Sequence, residues 1–89
     1  MSFIYLVVLR VSEIPGPSTF EIMKVYKDIK DAQNRLSHIR KMQIGMYNLK
    51  GFKSIKHKKD SNYSMDIVYN DKTNIAYNIE ISIERKVLE

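Results

Sequence analysis

The stretch Ile75–Glu84 reads IAYNIEISIE and alternates apolar and polar side chains without a break. Every second residue from Ile75 to Ile83 is an isoleucine or Tyr77, and the residues between them are small or polar. This alternation is typical of a β-strand with one face buried and the other in water. A sheet built from such strands needs a second layer over its apolar face. The sequence must therefore contain an element that covers this sheet.

The segment after Asp28 has the periodicity of an amphipathic helix and supplies that layer. Asp28 is a typical N-cap, since its carboxylate accepts from the free amide three residues on, and Asp31 adds an acid to the first turn. Gly45 predicts the end of the helix. The apolar stripe comprises Ile29, Ala32, Leu36 and Ile39, and the opposite face carries Lys30, Asn34, His38 and Lys41.

Three further segments have the composition of strands. Phe3–Ser12 is apolar on both faces as far as Leu9, which predicts an interior strand. The proline-rich turn Ile14–Ser18 joins it to a return strand at Thr19–Tyr26. Tyr63–Tyr69 alternates again, with Tyr63, Met65, Ile67 and Tyr69 on one side.

These segments predict an α+β fold: a single two-layer domain over residues 1–89, with an antiparallel sheet of about four strands. The predicted order is β-β-α-β-β, with one amphipathic helix on one face. Residues 46–62 lack a clear period and are expected to be an irregular or edge segment. The pair Leu88-Glu89 is interpreted as a remnant of cloning.

Composition limits the chemistry and the compartment. The chain has no cysteine, which excludes disulfides, thiolate nucleophiles and cysteine zinc sites. The apolar run Phe3–Leu9 is too short for a membrane span and lacks the flanks of a signal peptide. We therefore expect a cytoplasmic protein that is not secreted and has no membrane partner.

The positive charge lies in the middle of the chain. The net charge is +5, and residues 27–59 contain ten Lys or Arg against Asp28 and Asp31. Residues 1–26 balance, and residues 60–89 carry an excess of acids. Lysines beside aromatic side chains suit a polyanion, because ammonium groups displace counterions from phosphates and rings stack on unpaired bases. The alternative is that the lysines only solvate an exposed loop or pair with the acidic C-terminal strands.

The predicted anion-binding or nucleic-acid-binding residues are Lys41, Lys50, Lys53, Lys56, Lys58, Lys59, Tyr47 and Phe52. Tyr47 and Phe52 are expected to stack on the partner or anchor it. Tyr63 is a further aromatic candidate.

Catalytic signals are absent from the sequence. His38 is expected on the outer face of the helix, and His57 stands in the lysine run without a nucleophile or metal-ligand motif around it. Asp66 is expected to point to solvent, since it alternates with Met65 and Ile67. We therefore predict no catalytic residue, no metal site and no cofactor.

The hairpin that leads into an Asp-capped helix, VYKDIKDAQNRLSHI at Val25–Ile39, resembles many small, uncharacterised phage and large-DNA-virus proteins. The richness in Ile, Lys, Asn and Tyr is similar to proteins encoded by AT-rich viral genomes. The resemblance implies a role inside an infected cell or in a virion, and it assigns no site residue.

Two functions follow as hypotheses. The first is a small non-enzymatic binding protein that engages nucleic acid or another phosphate-bearing partner through the basic segment. The second is a protein–protein interaction module, a viral-type inhibitor or virion subunit, that caps a host protein or self-associates through a sheet edge as a homodimer. The long isoleucine strand is the edge that the second hypothesis names.

Overall fold

A computed structural model describes residues 2–88 of the chain. They form one five-stranded antiparallel sheet and one helix. The elements are β1 (Ser2–Ile14), β2 (Ser18–Tyr26), α1 (Ile29–Leu49), β3 (Lys53–Asp60), β4 (Tyr63–Asn70) and β5 (Ile75–Leu88). The strands lie in the order β2-β1-β5-β4-β3. The α+β class, the antiparallel sheet and the single covering helix are thus as predicted, whereas the strand count is five rather than four.

The alternating strand β5 lies at the centre of the sheet. It pairs with β1 over the whole length of that strand, from Ser2 opposite Leu88 to Ile14 opposite Ala76, and with β4 on its other side. The prediction that the isoleucine strand offers a free edge is therefore wrong, because both of its edges are hydrogen-bonded. The free edges of the sheet belong to β2 and β3.

The helix begins at its predicted cap and ends later than predicted. The Asp28 carboxylate accepts from the Lys30 amide at 2.7 Å, two residues on rather than three. The helix then continues through Gly45 to Leu49. Gly45 has no neighbouring atom within 4 Å of an added Cβ and lies in ordinary helical backbone. It is therefore tolerated within the helix and does not end it.

The helix ends in a Schellman motif at Lys50, Gly51 and Phe52. The Phe52 amide donates to the Tyr47 carbonyl at 3.0 Å, and the Gly51 amide donates to the Asn48 carbonyl at 3.0 Å. Gly51 has a φ of +89°, the left-handed conformation that this motif requires. The Tyr47 and Phe52 rings meet edge to face at a centroid distance of 5.3 Å, which is the hydrophobic contact that accompanies the motif. The last helical turn is thereby fixed to the first residues of β3.

The core lies between the helix and one face of the sheet. Leu36 and Ile39 of the helix are almost completely buried, as are Ile79 and Ile81 of β5. The other members of the core are Val7, Leu9, Ala32, Tyr47, Phe52 and Val68. The opposite face of the sheet, which we call the open face, carries no helix from residues 2–88.

Two regions of the sequence need a correction or a limit. Residues 46–62, expected to be irregular or at an edge, contain the last turn of α1 and the edge strand β3. Leu88, interpreted as part of a cloning remnant, pairs with Ser2 at the end of β5, and Glu89 lies outside the described residues. Within residues 2–88, α1 is too polar to act as a membrane-spanning helix.

Candidate nucleic-acid interface

The edge strand β3 places three lysines on the open face of the sheet. Its register with β4 sets Lys53 opposite Tyr69, Lys56 opposite Ile67, and Lys58 opposite Met65. Partners in an antiparallel ladder point to the same side, so the three lysines share the side of those β4 residues. They follow every second residue of β4, which spaces them about 7 Å apart along the strand.

A β-bulge produces this arrangement. The β3–β4 register shifts between Ser54 and Lys56, which leaves Ile55 without a partner of its own. Without the extra residue, Lys53 and Lys56 would fall on opposite faces, because strand side chains alternate. The bulge therefore gathers Lys53, Lys56 and Lys58 on one face, and we call them the lysine row.

Beside the lysine row, β4 presents an aromatic and apolar surface. Tyr63, Met65, Ile67 and Tyr69 point to the open face and are half-buried. The Tyr69 hydroxyl is held by the Asn74 side chain. The sequence placed these four β4 residues on one side correctly, but that side faces away from the helix. The result is a strip of rings and aliphatic groups flanked by ammonium groups.

The lysine row is not neutralised by the C-terminal strands. Every residue of β3 is exposed, and in the described part of the chain no lysine nitrogen lies within 4.0 Å of a carboxylate oxygen. Residues 2–88 therefore do not form the alternative arrangement, in which the lysines pair with the acidic hairpin. Asp60, opposite Tyr63, places one negative charge at the end of the row.

The other three predicted lysines lie elsewhere. Lys59 stands opposite Ser64 and points to the helix side of the sheet. Lys41 is exposed on the helix. Lys50 caps the helix, with its ammonium group 5.7 Å from the centroid of the Tyr47 ring. The structure thus brings together half of the predicted cationic set.

Tyr47 and Phe52 are not available as stacking residues, and this prediction is wrong. The two residues are 8% and 9% exposed and form a three-ring cluster with Tyr77. The centroid of the Tyr77 ring lies 5.3 Å from that of Tyr47 and 5.6 Å from that of Phe52. Burial raises the pKa of the Tyr47 hydroxyl, and the neighbouring Tyr77 adds to the effect. Their role is to anchor the end of the helix. The aromatic residues beside the lysine row are Tyr63 and Tyr69 instead.

Tyr63 is the first residue of β4 and lies on the open face opposite Asp60. Burial raises the pKa of its hydroxyl, and the nearby carboxylates of Glu80 and Asp60 raise it further. The phenol therefore stays neutral to higher pH than a free tyrosine. A neutral ring next to the lysine row is compatible with stacking on a base.

On the helix side, sequence reasoning missed a buried ionic cluster. Asp66 is completely buried and accepts two hydrogen bonds from Arg40, from Nε and from Nη2, each at 3.0 Å. The Nδ1 of His57 approaches the same carboxylate at 2.8 Å. The expectation that Asp66 points to solvent is wrong, because its β5 partner is Ile79 and the two residues share the covered face.

The contacts of this cluster join three elements of the fold. The Asp66 carboxylate is committed to a bidentate guanidinium and an imidazole, which link α1, β4 and β3. A depression of about 280 Å³ lies elsewhere and is lined by Tyr5, Ile29, Asn62, Ile83 and Arg85. Among residues 2–88, no group of three or more His, Asp or Glu side chains is placed to hold a metal ion.

Comparison of the chain with protein-family models, with curated proteins and with solved structures gives no match. The resemblance to phage and large-DNA-virus proteins therefore stays a prediction.

Proposed function

We propose that the protein is a small non-enzymatic binding protein that takes single-stranded nucleic acid on its open face. The backbone phosphates lie along Lys53, Lys56 and Lys58, and unpaired bases lie over Tyr69 and Tyr63. The observation that carries the proposal is the bulge at Ile55, which aligns three ammonium groups beside a half-buried strip of tyrosine rings and aliphatic groups. None of the three is paired with a carboxylate of residues 2–88.

Single strands fit this surface better than a duplex does. The lysine row is on an edge strand of a sheet face that carries no helix from residues 2–88, so no helix is presented there to enter a groove. Sheets with aromatic side chains accept splayed bases by stacking, which any base can provide. Binding of this kind is strongly salt-dependent and only weakly sequence-dependent.

Lysines on an edge strand also hinder edge-to-edge pairing, and this effect alone would explain their number. It does not favour one face over the other. The shared orientation of Lys53, Lys56 and Lys58 is therefore the feature that supports binding, and it is what the experiment must isolate.

The test is a fluorescence-anisotropy titration with a labelled single-stranded oligonucleotide at low and moderate salt. Three phosphate contacts on a single strand give a slope of about −2 in log affinity against log salt, or roughly a 15–20-fold loss between 50 and 200 mM salt. The triple variant Lys53→Gln, Lys56→Gln, Lys58→Gln should abolish most of the low-salt affinity and flatten this slope.

A matched control removes the same charge from other surfaces. Lys30→Gln, Lys41→Gln, Lys59→Gln also takes away three positive charges, including one on the opposite side of β3. The control should keep the salt slope and most of the affinity. Equal losses in the two triple variants would reduce the effect to net charge and refute a site on the open face.

The contribution of the rings is measured separately. An abasic oligonucleotide of the same length has the phosphates without the bases, and it should bind more weakly to the wild-type protein. Tyr69→Leu should reduce this difference, with Tyr63 still present, and should leave the salt slope unchanged, since it retains the lysine row. Equal binding of the two oligonucleotides would mean that the partner is a polyanion without bases.

A further inference from the structure

The two free edges of the sheet differ sharply in charge. Edge strand β3 reads KSIKHKKD and carries four lysines against one aspartate, so two copies of it repel each other. Edge strand β2 reads STFEIMKVY and carries one glutamate and one lysine. Only β3 therefore has the charge that keeps a sheet edge from pairing.

Strand β2 also exposes apolar side chains on the open face. Phe20, Ile22 and Val25 are 55%, 50% and 49% exposed. Phe20 pairs with Arg10 of β1, and Val25 pairs with Leu6, so the two side chains are on the same face. Half-exposed large apolar residues along an unpaired edge mark a surface that pairs with another strand.

The charged residues of β2 lie together on the opposite face. Glu21 pairs with Leu9, and Lys24 pairs with Val7, both of which point to the helix side. The Lys24 ammonium group lies over the Tyr26 ring at 5.4 Å. One acid and one base are thus displayed on one side of a bare edge.

We propose that two copies of this chain pair edge to edge through β2, antiparallel, with the two-fold axis between Ile22 and Met23. In this register Glu21 lies opposite Lys24 of the second copy, and Phe20 lies opposite Val25 of the second copy. Each of these rungs joins residues that already share a face, as antiparallel pairing requires. The symmetry repeats both rungs, so one complementary pair becomes two.

The charge match selects this register. Shifting the register by one residue in either direction sets Lys24 opposite Phe20 or Ile22 of the second copy, which lie on the other face. A shift by two residues toward the end of β2 sets Glu21 opposite Tyr26 of the second copy and loses the charge pair. The register of β2 with β1 shifts next to Met23, and this irregularity lies at the two-fold axis. The contact between the two copies is therefore made by the residue pairs on either side of the axis. The product is a continuous sheet of ten strands with a lysine row at each far end.

The experiment is a mass measurement by light scattering after size exclusion, over a concentration series of the full chain treated with nuclease. Wild type should approach twice the 10.5 kDa chain mass as concentration rises. Glu21→Lys and Lys24→Glu should each raise the dissociation constant of the dimer about tenfold or more, since each places two like-charged pairs in the interface. The double exchange Glu21→Lys, Lys24→Glu should restore the dimer.

Both substituted residues are exposed, so circular dichroism should report an unchanged fold for every variant. Lys30→Glu, an equal change of charge on the outer face of the helix, should leave the dimer unchanged. A monomeric wild type at all concentrations refutes the proposal. A dimer that survives both single reversals, or a double exchange that stays monomeric, refutes the register and the proposal with it.

Discussion

Replacing Arg40 by methionine should destabilise the fold strongly. Methionine keeps an unbranched apolar stem in the helix, so the change removes the guanidinium with little loss of packing. Asp66 then loses both 3.0 Å hydrogen bonds and keeps only its contact with His57. Its side chain is 1% exposed, so water can replace the lost donors only as far as it enters the space that Arg40 leaves.

The magnitude follows from the geometry. Removing one partner of a buried ion pair typically costs about 3–5 kcal/mol. The Arg40 side chain is 26% exposed, so water partly enters the space that it leaves and the lower end, about 3 kcal/mol, is expected. A domain of this size has a total stability of roughly 4–13 kcal/mol. The melting temperature should therefore fall by about 12–24 °C.

Urea unfolding followed by far-ultraviolet circular dichroism measures the loss directly. Lys41→Met is the matched control, because it makes the same chemical change at the next, exposed residue and should alter stability by less than about 0.5 kcal/mol. Adding Asp66→Val to Arg40→Met should recover most of the loss, since an apolar pair replaces the uncompensated carboxylate. A cost below about 1 kcal/mol for Arg40→Met, or a double variant less stable than Arg40→Met alone, would refute this reasoning.

Two further predictions concern the helix end and alkaline pH. Gly51→Ala should cost about 1–2 kcal/mol of unfolding free energy, because the φ of +89° at this position strains any side chain. Gly45→Ala, in open helical backbone, should instead raise the unfolding free energy by about 0.5–1 kcal/mol. Equal urea midpoints for the two variants would contradict the assignment of Gly51 as the helix end. The pKa values of the Tyr47 and Tyr63 hydroxyls are raised in the folded chain, so the unfolded chain loses these protons first as pH rises. The free energy of unfolding should therefore be greatest below about pH 10 and fall as pH rises further. Urea midpoints between pH 8 and 11 measure the fall, and Tyr63→Phe should make it shallower; a midpoint that rises with pH would oppose the prediction.

The covering helix and the alternating strand β5 were predictable because their periodicity is local. The alternation through Ile79 and Ile81 predicts the buried face of β5. The helical spacing of Leu36 and Ile39 predicts the apolar stripe of α1 that covers this face. Each signal depends only on the residues of its own segment. Contact between the two faces then follows from the need to bury both.

The orientation of β4 was not predictable in the same way. The side on which Asp66 falls is set by the length of the loop between Asn70 and Ile75, since one residue more or less would turn every β4 side chain to the other face. Apolar character suggested the wrong side, because Met65 and Ile67 are more hydrophobic than Ser64 and Asp66. Arg40 was the one signal for a buried acidic partner, because this charged residue lies four positions after Leu36 and next to Ile39, beside the apolar stripe of the helix.

The candidate interface depends on a feature that local patterns do not encode. The lysines of residues 50–59 were recognised from composition, but their common face follows from the bulge at Ile55, which exists only in the β3–β4 pair. Tyr47 and Phe52 looked like free rings beside lysines. Their spacing of five residues around Gly51 is instead that of the hydrophobic contact in a Schellman motif.

The central position of β5 has a consequence for synthesis on the ribosome. β1 and β4 both pair with β5 and not with each other, so the two hairpins β1–β2 and β3–β4 have no shared ladder until residues 75–88 emerge. A nascent chain that lacks these residues leaves one edge of β1 and one edge of β4 unpaired and cannot bury α1 against Ile79 and Ile81. β5 is thus the strand that joins the two halves, and folding must wait for this long-range pairing.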